Sequence, residues 1–124
     1  MRTWAVILII AAILAGLSVA EISTVSNFCS EIEYSITDIC EKIKLENITS
    51  ADIDHLYSIW ERNKTAVFVF SNHHMFTDYE DGLAEMYYYF NHKNTEQLYH
   101  TAVDFENVNE RLKGSITFNI GNIF

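Results

Sequence analysis

The sequence predicts an all-α protein: an antiparallel bundle of about four helices, preceded by an apolar N-terminal helix. Three observations predict it. The chain has no proline and only 4 glycines in 124 residues, which permits long helices and disfavours a turn-rich β sandwich. Apolar residues recur at alternating spacings of three and four, the period of one helix face. Polar residues able to cap helices stand where those patterns begin.

The N-terminal stretch MRTWAVILIIAAILAGLSVA has one basic residue, Arg2, and then an unbroken apolar run from Trp4 to Leu17. A helix over residues 4–20 is about 25 Å long, close to the hydrocarbon thickness of a bilayer. It is read as a membrane anchor. A signal peptide cleaved after Ala20 is the alternative, because Ser18 and Ala20 have the small-residue spacing of a cleavage site. In both cases Arg2 stays inside and the domain over 21–124 lies on the extracytoplasmic side.

The first bundle helix is expected over about 21–46. Ile22, Val25, Cys29, Ile32, Ile36, Ile39 and Ile43 form a heptad seam, and a seam rich in isoleucine needs a partner helix. This helix can continue unbroken out of the anchor. The partner for its seam lies within the chain or in a second copy. Cys29 and Cys40 would then be about 16 Å apart along one axis, too far for a disulfide. Both are expected as free thiols.

A second helix is expected over 51–72. Thr49 with Asp52 caps it, and its face runs Ile53, Leu56, Trp60, Val67 and Phe70. The stretch AVFVF (66–70) alone would suit a buried strand, but the flanking period assigns it to the helix. A third helix over 77–91 is read from Thr77 and Glu80 as a capping box and from Phe76, Tyr79, Leu83, Met86 and Phe90. Asn94 with Gln97 caps a fourth, over 95–113, whose face runs Leu98, Ala102, Phe105 and Leu112. Lys113 and Gly114 read as its stop. The apolar tail over 115–124 is expected to fold back onto the bundle.

The formal charge is −9, and all 17 carboxylates lie beyond residue 20. So acidic a domain has no overall electrostatic attraction to nucleic acid or anionic lipid. Asn47 and Asn63 stand in glycosylation sequons.

SNHHMFTDYEDG (71–82) is the stretch most like chemistry. His74 and Asp78 share a helix face, and His73 is the nearest third ligand. However, adjacent histidines on a helix diverge by about 100°, and no zinc-ligand spacing occurs. The residues are read first as punctuation between helices. His73 ends one helix, and His74 is half-buried and bonded to Asp78 or a carbonyl. No cofactor is expected. No glycine-rich phosphate loop or nucleophile elbow occurs, so the chain is not expected to be an enzyme. Tyr87, Tyr88 and Tyr89 cannot all face one core, so at least one is exposed and suits a partner surface. Phe124 is the other candidate for that surface.

Trp60, His74, Asp78 and the terminal Asn122-Ile123-Phe124, read with the apolar leader, resemble the domain-of-unknown-function family 4363. Its members are small bacterial proteins with an N-terminal membrane segment and an exported helical domain. The resemblance covers Trp60 to Phe124, and the leader in kind. The sequence departs from the family pattern at Phe76, where a carboxylate is usual, and at Gly121 before Asn122. What the resemblance implies is location, architecture and a multi-spanning membrane protein as partner, not a reaction. The expectation is therefore a membrane-tethered accessory or interaction subunit. The alternative is a secreted or periplasmic domain binding a small ligand or metal near Trp60, His74 and Asp78.

Overall fold

A computed structural model describes residues 2–71 and 73–123, without the side chains of 18, 21, 70 and 117–123. Its elements are α1 (Arg2–Lys44), α2 (Ser50–Phe70), α3 (His73–Asn91) and α4 (Thr95–Ile123), with no strand among the described residues. Each helix packs on the next, and α4 closes the ring against α1.

Helix α1 is continuous for 43 residues, from the apolar leader into the bundle. Its described leader side chains are all exposed, whereas Val25, Cys29, Ile32, Ile36, Ile39 and Ile43 are buried. Ile22, at the top of the seam, is half-buried. The seam's partners are α2 and α4 of the same chain. Phe28 and Ser35 are buried as well. A helix flanked by two neighbours covers a wider stripe than a two-stranded seam, which is why both residues escape the heptad pattern.

The α1–α2 turn uses the backbone pattern of a helix C-cap. Glu46 adopts φ 57, and the Asn47 and Glu46 N–H groups donate to the carbonyls of Lys42 and Ile43 at 3.0 and 3.1 Å. Thr49 then caps α2. The Asp52 carboxylate accepts from the Thr49 backbone N–H at 2.9 Å and from its hydroxyl at 3.0 Å. Lys42 donates to Asp52 at 2.6 Å and so ties α1 to the start of α2.

Burial alone would push the Asp52 carboxyl up. Hydrogen bonds from Lys42 and Thr49 outweigh it and hold the carboxyl below its ordinary value. This contribution to stability is fully present above about pH 4 and is lost as pH falls through the folded-state value. Asp52→Asn is therefore expected to lower the melting temperature near neutral pH. The two proteins should converge as pH falls below the folded-state value of Asp52, as a pair of thermal melts from neutral to acid pH would show.

Two expected boundaries are corrected. Helix α3 begins at His73 rather than at 77. Thr77 is not its cap: its hydroxyl donates to the His73 carbonyl at 3.0 Å, one turn back. Starting earlier lets Phe76 pack on Trp60 and Phe68, with ring centroids 5.2 and 5.5 Å apart. Helix α4 does not stop at Gly114 but runs on to Ile123, so the tail is a continuation of the helix, and its Ile116 packs against the core. A glycine ends a helix by adopting positive φ, and none of the described glycines does so. AVFVF is helical, as expected.

Gly82 has a packing role. A Cβ there would stand 2.7 Å from Cδ2 of the Phe105 ring, which is buried and lies edge-on to Tyr79 at 5.3 Å. Alanine's helix preference is worth about 1 kcal/mol, and overpacking costs about 1–3 kcal/mol. The approach is to a buried ring packed on Tyr79, so the clash prevails. Gly82→Ala is expected to cost about 1 kcal/mol net by urea denaturation.

Candidate functional site

The turn between α2 and α3 does not assemble the cluster that the sequence suggests. His73 and His74 are both exposed on the first turn of α3. The expected half-buried His74 bonded to Asp78 is thus corrected, as is His73 at the end of α2. Asp78 pairs with Arg111 of α4 at 3.4 Å. Trp60 is fully buried, and its indole N–H donates to Glu80 at 3.0 Å. The three residues thus stand apart, Trp60 in the core, His74 in solvent and Asp78 beside Arg111. No three His, Cys, Asp or Glu side chains among the described residues are placed to hold a metal ion.

What Trp60 does join is an aromatic core. It stacks on Tyr79 at 4.9 Å and tilts against Phe28 at 5.9 Å. Behind this cluster lies a buried polar link. The Tyr79 hydroxyl donates to Oδ1 of Asn109 at 2.9 Å, and Nδ2 of Asn109 donates to the Cys29 carbonyl at 2.9 Å. Three helices, α1, α3 and α4, meet at Asn109, which is itself fully buried. Sequence reasoning missed it because a lone asparagine between Val108 and Glu110 has no local signature. Its helical phase, four residues after Phe105, was the available signal.

Both cysteines are free. Burial pushes the Cys29 thiol up to about 12, and burial raises Cys40 too. Neither resembles a nucleophile, which needs a lowered pKa and access.

The tyrosine triplet divides three ways. Tyr87 is half-buried, and its hydroxyl donates to Asp54 at 2.6 Å. Tyr89 is half-buried against the core. Only Tyr88 is exposed, stacked on His92 at 4.2 Å. Sequence reading overlooked Tyr34, which stands 81% exposed on α1 because it points away from the seam. Phe124 lies outside the described residues.

Among the described residues the bundle presents exposed tyrosines, an exposed apolar helix and an open acidic cleft between α3 and α4 lined by Asp78, Asp81, Glu85, Asp104 and Arg111. A sequence profile for a domain of unknown function, DUF4363, matches residues 19–123. The chain belongs to the DUF4363 family. No curated protein and no solved structure matches it. The DUF4363 match starts where the exposed apolar stretch of α1 ends and includes the whole of α4. The last turns of α4, read from sequence as a separate tail, are thus part of the DUF4363 domain.

Proposed function

We propose that this DUF4363 protein is a non-catalytic accessory subunit of a membrane complex, tethered by residues 4–20 with its bundle on the extracytoplasmic side. The observation that carries the reading is the unbroken α1. An apolar segment long enough to cross a bilayer passes into the seam of the bundle without a linker. A helix rigid across that junction holds the bundle at a fixed distance and orientation from the membrane. A freely diffusing ligand-binding domain has no need of that constraint. Arg2 ahead of the apolar run favours the orientation proposed.

The reading is non-catalytic because the buried polar side chains bond to one another or to backbone. Asn109 and Tyr79 are buried and fix helices together. The partner contacts proposed are two exposed tyrosines on opposite helices of the ring, Tyr88 of α3 and Tyr34 of α1, a residue type favoured where proteins meet.

The test is a crosslinked pull-down of full-length protein from native membranes, with the tag placed away from the C-terminus. A membrane protein captured by the wild type, and lost with Tyr34→Ser and Tyr88→Ser combined, is the expected result. Recovery of the bait alone, with an intact mass lacking residues 1–20, would overturn the proposal.

A further inference from the structure

The bundle has two chemically different ends. No Asp or Glu occurs in 22–30, 62–77 or 111–124. Every acid but Glu21 lies in 31–61 or 78–110. The fold stacks the three acid-free segments at one end. Lys42–Asp52 at 2.6 Å and Arg62–Glu31 at 3.4 Å set α2 antiparallel to α1. Continuing that register, Phe68 stands level with about residue 25 of α1. Asn109 against Cys29 and Lys44 over the Tyr99 ring set α4 antiparallel to α1 as well, so the backbone beyond Asn109 runs about 20 Å further toward the leader end.

Four ion pairs mark the border. Arg62–Glu31, Lys64–Glu61, Arg111–Asp78 and Lys113–Glu33 involve all four helices and circle the bundle at the level of Glu31 and Glu33. Below this girdle, on the leader side, the exposed residues of the α2–α3 turn include Phe68 at 58%, Val69 at 63%, His73 and His74. Phe68 and Val69 stand adjacent on the surface of a strongly acidic protein, at the end from which the apolar stretch of α1 leaves.

We infer that this end of the bundle rests on the lipid bilayer, with Phe68 and Val69 of the α2–α3 turn seated in the headgroup layer beside the emerging α1. The inference depends on the tether proposed above. Distances select lipid as the occupant. The exposed apolar stretch ends at about Ala20, and the turn lies level with about residue 25, roughly 7 Å further along the axis. The interfacial layer beyond the hydrocarbon is about 5–8 Å deep on each side. The turn therefore falls within that layer, where apolar and aromatic side chains are stabilised by partial burial. The girdle of ion pairs falls just above it, in water. With Glu21 as its one acid, this end also avoids most of the repulsion that the protein's overall charge would otherwise produce at an anionic surface.

The test uses the full chain with Cys40→Ala, reconstituted in phosphatidylcholine vesicles. An environment-sensitive fluorophore is attached at Val69→Cys, Ile10→Cys or Lys93→Cys in turn, with buried Cys29 left in place. Quenching is read with lipids spin-labelled on the headgroup or on the acyl chain. The expected result is strong quenching of Ile10→Cys by acyl-chain labels. Val69→Cys should be quenched by headgroup labels several-fold more than Lys93→Cys, at the far turn. Quenching at Ile10→Cys with Val69→Cys no different from Lys93→Cys overturns the inference and leaves the tether standing. No quenching at Ile10→Cys overturns the tether and the inference with it. A blue-shifted Val69→Cys probe that no lipid label quenches means that protein covers the turn, which also overturns the inference.

Discussion

Trp60→Ala is expected to lower the unfolding free energy by about 3–5 kcal/mol. Trp60 is fully buried and touches rings from two other helices: Phe28 of α1, and Phe76 and Tyr79 of α3. Truncation removes the largest side chain of the core and leaves a cavity that those rings, held by their own neighbours, can only partly fill. The lost hydrogen bond matters less, because half-exposed Glu80 can turn to water. Trp60→Phe keeps a ring and forfeits the N–H and part of the volume, so about 1–2 kcal/mol is expected. Urea unfolding followed by helical circular dichroism reads both, with the apolar part of α1 as a constant background. A loss under about 1 kcal/mol for the alanine variant would mean that the aromatic cluster is not the centre of the core.

Asn109→Ala is expected to cost about 2–3 kcal/mol. Two hydrogen bonds disappear, and the Tyr79 hydroxyl is left buried without its acceptor. Burial already pushes the Tyr79 phenol upward, so ionisation offers that hydroxyl no relief. The Cys29 carbonyl suffers less, since it lies within a continuous helix. Tyr79→Phe alone leaves Oδ1 of Asn109 unpaired and should cost about 1–2 kcal/mol. Combining Tyr79→Phe with Asn109→Leu removes both polar partners. That pair should cost less than the sum of the single changes, with a coupling energy of about 1 kcal/mol or more. Additive losses would show that the link between α3 and α4 does not act as a unit.

The local features of the fold were legible because they obey short-range rules. The seam from Val25 to Ile43, the Thr49–Asp52 cap and the Asn94 cap, whose side chain accepts from the Gln97 N–H at 3.2 Å, each depend on residues a few positions apart. The misread ends of α3 and α4 share a cause. Thr77 and Gly114 carry terminus signals worth about 1 kcal/mol, and extended contact with neighbouring helices outweighs them. Phe76 reaching Trp60 pulls the start of α3 forward, and beyond Gly114 Ile116 packs against the core.

The candidate site was legible only as residue types. Adjacent histidines beside a carboxylate suggested a ligand set. The ring of helices instead sends Asp78 to Arg111 and Glu80 to Trp60, and leaves both histidines in solvent. Of the tyrosine triplet, helical phase guaranteed that one member is exposed. Which one depends on Asp54, across the α2–α3 contact, capturing Tyr87.

Sequence by itself determined the all-α class, the four helices, the apolar segment in line with α1 and the residues of the main seam. These follow from helical period and from capping, which act within a few residues. Tertiary structure decided the rest. It closed α4 against α1, joined Tyr79 to Asn109 across 30 positions, and gathered three acid-free segments at the leader end. A net charge is a sum over the chain and carries no position. Antiparallel packing turns that sum into an acidic end and an acid-poor apolar one, because it runs residues 22–30, 62–77 and 111–123 toward the same end.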